Sequence, residues 1–145
     1  MLTIILVVVV IGCAGSQIVD DMKQKDALSA CPDSPNCVSS ESQEGRHAVD
    51  PMQLKGQSET EWAQVLEVVG HLPRVRVVTA TELYLHATLK SRLLGFIDDL
   101  ELKLYPQTNM ISIRSASRSG KYDFGVNRRR VESLRKQLKA AELIR

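Results

Sequence analysis

The residues best equipped for chemistry sit in the second half of the chain: Asp98 and Asp123 among the acids, Arg118 and the run Arg128, Arg129, Arg130 among the bases. Between them lie Ser115, Ser117 and Asn127, short polar side chains able to hold a carboxylate or a guanidinium in place. A carboxylate taken out of water needs donors or a cation beside it, and without them it becomes a base of raised pKa. Two chemistries follow: Asp98 or Asp123 as the general base of a hydrolase, or an ion-pair cluster that seats an anion. Against the first, His47, His71 and His86 have no suitably placed nucleophile or carboxylate in sequence. Asp123-Phe124-Gly125 repeats the letters of the kinase metal-binding motif, but the accompanying glycine-rich loop, lysine-bearing strand and His-Arg-Asp string are absent. We assign no catalytic residue.

The arginine run is informative through its position. If Asn127 is the N-cap of the last helix, three cations occupy the first turn, where the macrodipole disfavours each by about 0.3–1 kcal/mol. Something must offset that. A structural answer pairs the arginines with Asp98, Asp99, Glu101 or Asp123 and locks helix to sheet. A functional answer seats a phosphate, sulfate or carboxylate on the free N–H groups and the flanking guanidinium groups. Charge segregation permits both, since residues 114–145 hold ten Lys and Arg against three acids, and internal pairing is the commoner use of such asymmetry.

Cysteines set the compartment. Residues 2–11 are almost purely apolar, long enough for a signal-peptide core and short of the roughly 20 residues that span a bilayer. The run ends at Val10-Ile11-Gly12-Cys13, which resembles the bacterial lipobox. The reading is a signal peptide over residues 1–12 and lipidation at Cys13, against a simple cleaved signal or an uncleaved anchor. No Lys or Arg precedes the apolar run, so the signal is a minimal one or the start lies upstream. Cys31 and Cys37 then remain as an even pair in a compartment that permits disulfides. The prolines and Asn36 between them favour a compact turn, and closing so short a loop contributes about 2 kcal/mol. Two free thiols are the alternative; with His47 as the one nearby imidazole, a metal site has a poor ligand set. Residues 13–30 form the lipidated end and its tether, with a coil reach on the order of 20 Å.

Periodicity supplies the elements that must position these groups. Ser58-Glu59-Thr60-Glu61 reads as a capping box, followed by a helix with Trp62, Val65, Leu66 and Val69 on one face and a stop at Gly70 and Pro73. Four segments of strand character follow: residues 75–80, then alternations centred on Leu85 and Ala87, on Leu100 and Leu102, and on Ile111 and Ile113. A second helix is expected from about Arg128 to Leu143, with Val131, Leu134, Leu138 and Ala141 as its stripe. The fold class is α+β: an antiparallel meander of about four strands in the order α-β-β-β-β-α, one face covered by two helices. A long irregular segment, residues 31–57, precedes it, and the single domain spans residues 31–145. Strand parity turns Asp98 to the covered face together with Ser115 and Ser117, at the core edge beside the loop 119–125.

Several strings occur together in a known order: Cys31-Pro32-Asp33-Ser34-Pro35-Asn36-Cys37-Val38-Ser39-Ser40, Phe96-Ile97-Asp98-Asp99-Leu100-Glu101, Arg114-Ser115-Ala116-Ser117-Arg118, and Asp123-Phe124-Gly125-Val126-Asn127-Arg128-Arg129-Arg130. The chain thereby resembles the bacterial and plastid domain-of-unknown-function family numbered 1499. The resemblance covers about residues 31–140 and attaches no biochemical activity.

The leading expectation is a cell-envelope lipoprotein on the periplasmic or cell-surface side, with a non-catalytic domain. Its partners would be the membrane, through the lipid anchor, and an anionic small molecule, a lipid headgroup or an envelope protein. Ala14 after the cysteine favours the outer membrane in a Gram-negative host. A hydrolase, or a structural subunit of a membrane complex marked by an apolar patch, are the alternatives. The sequence calls for no cofactor and no metal. Nucleic acid fits poorly, because the basic segment is not interleaved with aromatics and the chain is read as exported.

Overall fold

A computed structural model describes residues 27–91 and 95–145. The expected signal peptide, Cys13 and most of the tether lie outside the described residues. Among those described, no helix is long and apolar enough to cross a membrane.

In chain order the elements are β1 (Cys37–Ser39), β2 (Met52–Gln53), α1 (Ser58–Gly70), β3 (Val75–Ala80), β4 (Tyr84–Lys90), β5 (Ile97–Tyr105), β6 (Met110–Ser117) and α2 (Val126–Ala140). The expected α-β-β-β-β-α order therefore holds from α1 to α2. The sheet is larger than expected, with six strands ordered β1-β6-β5-β4-β3 and β2 also on β6, all antiparallel. The segment read as irregular supplies the two additional strands. At three and two residues they are too short for a period of two to show, and tertiary pairing along the free edge of β6 orders them instead.

Alternation in β4, β5 and β6 sends Leu85, Ala87, Leu100, Leu102, Ile111 and Ile113 to one face, where all are buried. Both helices lie on that face. From α1, Trp62, Val65 and Val69 enter the core; from α2, Val131, Leu134 and Leu138 do so. Ala141, expected in the α2 stripe, is instead its exposed C-cap. The core is completed there by Leu143 and Ile144 beyond the helix, with Ile144 bridged to Leu54.

Both helix starts differ from the expected caps. At α1 the N-cap is Gln57, and the Glu61 carboxylate accepts the backbone N–H of Gly56 at 2.8 Å rather than that of Ser58. The donor it satisfies lies two residues upstream of the one the capping-box pattern specifies. At α2 the helix begins at Val126 with Gly125 as N-cap, φ +75°. Glycine takes that left-handed conformation without steric penalty. Its neighbour Phe124 also has positive φ, 52°, a strained conformation for so bulky a residue.

Cys31 and Cys37 form a disulfide. Cys37 opens β1 on the sheet face opposite the helices, opposite Ala116 of β6. The cross-link ties the residues before it, 27–30, to that open face. At the other sheet edge, β3 pairs only with β4 among the described residues, and a register shift between Val77 and Thr79 breaks its regularity, as is common at exposed edges.

Candidate binding cleft

The polar residues that parity placed on the covered face do meet at the core edge. Asp98 of β5 and Ser115 and Ser117 of β6 face the start of α2. There Asn127, fully buried, donates Nδ2 to the Asn36 carbonyl at 2.9 Å, to Ser117 Oγ at 2.9 Å and to Asp123 at 2.8 Å. Ser115 Oγ donates to Asn127 Oδ1 at 2.7 Å. Asn127 thus sits one residue inside the helix and acts as the knot of the cluster rather than as its cap.

Asp123 does the capping from the loop. Its carboxylate accepts the backbone N–H groups of Gly125 and Asn127, each at 2.9 Å. Burial alone would raise its pKa, but those two amides and the Asn127 side chain outweigh burial and hold it below the usual carboxylate range.

Each arginine of the run finds a different partner. Arg130 reaches the Asp98 carboxylate and also donates to Ser115 Oγ at 2.9 Å and Asn127 Oδ1 at 2.5 Å. Arg128 donates to the carbonyls of Ala48 and Arg46 at 2.8 and 3.0 Å, and Arg129 to the Phe124 carbonyl at 2.8 Å. The cationic first turn is therefore offset by one buried carboxylate and three carbonyls. Of the three arginines in the run, Arg130 is the member that reaches the sheet, while Arg128 and Arg129, the two placed in the cluster by sequence, do not. The helical spacing of Asn127, Arg130, Val131 and Leu134 would have found it, because Arg128 and Arg129 turn off that face.

Arg118 does not join this cluster. One residue past Ser117, it takes the opposite parity and pairs with Asp99 on the open face, Nε at 2.9 Å and Nη2 at 2.8 Å. His86 completes the group, its Nε2 lying 2.7 Å from Asp99. Burial pushes the Asp99 carboxyl up, but the hydrogen bonds from Arg118 and His86 prevail and hold it below its ordinary value. Beside it Glu101 and Arg114, directly opposite in the β5–β6 register, make a pair at 2.5 Å. Ser29 donates to Glu101 Oε1 through its N–H at 3.3 Å and its Oγ at 2.9 Å, so residues 27–30 lie across this face. What reads in sequence as a wetted face thus carries a buried ion pair under a short strap.

Asp99 and Asp123 both titrate low in the folded protein, so the stability they contribute is present above the unfolded value, about pH 4. It is lost as pH falls through the folded values. Denaturation midpoints measured from neutral to acid pH are expected to decline below that point, and Asp99→Asn with Asp123→Asn to flatten the decline. An unchanged acid limb in the double variant contradicts the assignment.

The Asp98–Arg130 pair lies at a cleft of about 690 Å³ between the C-terminal end of α1, the β4–β5 end of the sheet and α2. Its walls include Leu72, Leu89, Phe96, Phe124, Val126 and Leu134, with Ser117 and Ser133 among the few hydroxyls. Phe96 and Phe124, the two phenylalanines of the chain, are 49% and 89% exposed, and Tyr122 is 75% exposed. The exposed charges that line the cleft, Arg74 and Lys90, are basic. Such a cavity suits a molecule with an apolar body and an anionic end. Among the described residues no cluster of three or more His, Cys, Asp or Glu side chains is placed to hold a metal ion.

A family model described as Protein of unknown function (DUF1499) matches residues 27–138. No curated protein and no solved structure matches the chain.

Proposed function

Since the chain belongs to the DUF1499 family of proteins of unknown function, we propose that its folded part is a non-catalytic binding domain for an amphipathic, anionic ligand. The lipobox-like string at Cys13 supports placing that domain outside the cytoplasm on a lipid anchor. The observation that carries the reading is the cleft: apolar walls, an ion pair at the floor, basic side chains at the mouth and both phenylalanines exposed there. Pockets that take small molecules combine a mostly apolar lining with a few convergent polar groups. An apolar chain would replace water against Leu72, Leu89 and Leu134, and its anionic end would meet Arg74, Lys90 or Arg130. An isolated anion at the helix tip fits less well, because Arg128 and Arg129 already donate to carbonyls.

Thermal unfolding of the full chain with palmitate, with lyso-phosphatidylglycerol and with inorganic phosphate tests this. A ligand at 100 times its dissociation constant stabilises the folded state by about 2.7 kcal/mol. The two amphiphiles are expected to raise Tm, phosphate alone much less, and Ser133→Trp, which crowds the cleft from α2, to abolish the rise. No shift with either amphiphile, or a shift that survives Ser133→Trp, rejects the cleft as the site.

A further inference from the structure

We propose that the mouth of the cleft is a membrane-docking surface: Phe96, Tyr122 and Phe124 enter the interface of a bilayer with anionic headgroups, which Arg74, Lys90 and Lys121 meet. This goes beyond the cleft reading and does not require that the cleft take a ligand. It starts from where apolar side chains are left in water. Of the eight large hydrophobic residues exposed among the described residues, Phe96, Ile97, Tyr122, Phe124 and Val126 lie on the two segments that flank the cleft, in β5 with its approach and in the loop leading to α2. Scattered exposed apolar residues need no explanation; a cluster at one end marks a contact.

Phe124 makes the argument sharper. The residue is 89% exposed and its backbone sits at φ 52°, so it is unfavourable in two independent ways. Little of its surface is taken out of water by the fold. A strained residue held with its apolar side chain in water is the kind of outlier from which a functional contact is inferred.

Charge selects the partner. The acids near the mouth point inward, Asp98 to Arg130 and Asp123 to the amides of α2. The charged side chains exposed in solvent there include Arg74, Lys90 and Lys121, all basic. Exposed aromatic rings with basic side chains beside them suit the headgroup region of anionic membranes, the ring bodies below and the charges and the tyrosine hydroxyl above. The attraction between basic residues and anionic lipid falls off within a Debye length, so docking should weaken as salt rises.

A depth measurement on the full chain tests the proposal. Tryptophan is introduced at the mouth (Tyr122→Trp) or at the other end of α2 (Lys139→Trp), and each variant is placed on phosphatidylcholine vesicles with or without phosphatidylglycerol, their acyl chains brominated to quench nearby indoles. Native Trp62 is buried in the core and gives the same background in both variants. The expected result is that the mouth reporter loses most of its added emission on phosphatidylglycerol vesicles and recovers it at high salt, while the Lys139→Trp reporter stays bright. Adding Phe124→Gly, which suits the left-handed backbone and preserves the fold, should reduce the quenching. Equal quenching of both reporters, or none in either, overturns the proposal. So does a mouth reporter shielded in native membranes but unquenched on protein-free vesicles, which assigns the surface to a protein.

Discussion

Glu101→Ala is expected to lower the unfolding free energy by about 3–5 kcal/mol, the usual consequence of stripping one partner from a buried ion pair. Glu101 and Arg114 have 5% and 10% of their side-chain surface exposed, so solvent screens the pair little. The carboxylate accepts from Arg114 Nη1 at 2.5 Å, from the Tyr84 hydroxyl at 2.8 Å and from Ser29. Its loss leaves three sets of donors facing each other. Arg114 is the worst placed, because its Nε already has no hydrogen-bond partner among the described residues. Tyr84 offers no compensating charge by ionising, since burial, the largest cause of its raised pKa, persists once Glu101 is gone. Chemical denaturation measures the loss. Glu101→Leu combined with Arg114→Leu should recover much of it, because the large effect comes from the orphaned charge rather than from the worth of the pair. A single-variant loss below about 1 kcal/mol, the size typical of an exposed pair, would mean that water reaches this site.

Trp62→Ala should cost a similar amount, about 3–5 kcal/mol, by a different route. The indole of α1 is 97% buried by exposure of 3%, and its Nε1 donates to the Thr81 carbonyl at 3.1 Å, joining the helix to the β3–β4 turn. Truncation opens a cavity under α1 and removes that bond. Trp62→Phe separates the two contributions: it keeps most of the ring volume and should cost chiefly the hydrogen bond, about 1 kcal/mol. Equal losses in the two variants would show that packing at this position counts for little.

The parts of this fold that were legible in sequence are those with a sustained period. Alternation through β4, β5 and β6 and the Val131, Leu134, Leu138 stripe fixed the covered face, and parity alone turned Asp98, Ser115 and Ser117 toward α2. The same parity reasoning puts Asp99, Glu101, Arg114 and Arg118 together on the other face. Their burial has no local signal, because polar residues on that face read as solvated and the strap that covers them lies 72 and 84 residues away in sequence from Glu101 and Arg114. Arg118 belongs to this second group, through Asp99, and not to the one around Asp98. The α2 cap differs from the sequence expectation for a related reason: Asn127 has the right chemistry for an N-cap, but its hydrogen bonds to Asn36 and Ser117 draw it into the interior. The cleft had no sequence signature, since its walls come from α1, the sheet end and α2, and only the assembled fold brings them to one mouth.

The strap over the open face has a mechanical consequence. Tension applied to the chain ahead of Ala27 first meets Ser29 and Ala30, whose contacts with Glu101 and Arg114 transmit it to β5 and β6 in the middle of the sheet. Once these contacts shear, the Cys31–Cys37 bridge carries the load past residues 32–36 directly into β1. A pull on this end is therefore resisted in two stages, first by a sacrificial polar latch and then by an edge strand loaded through a covalent bond.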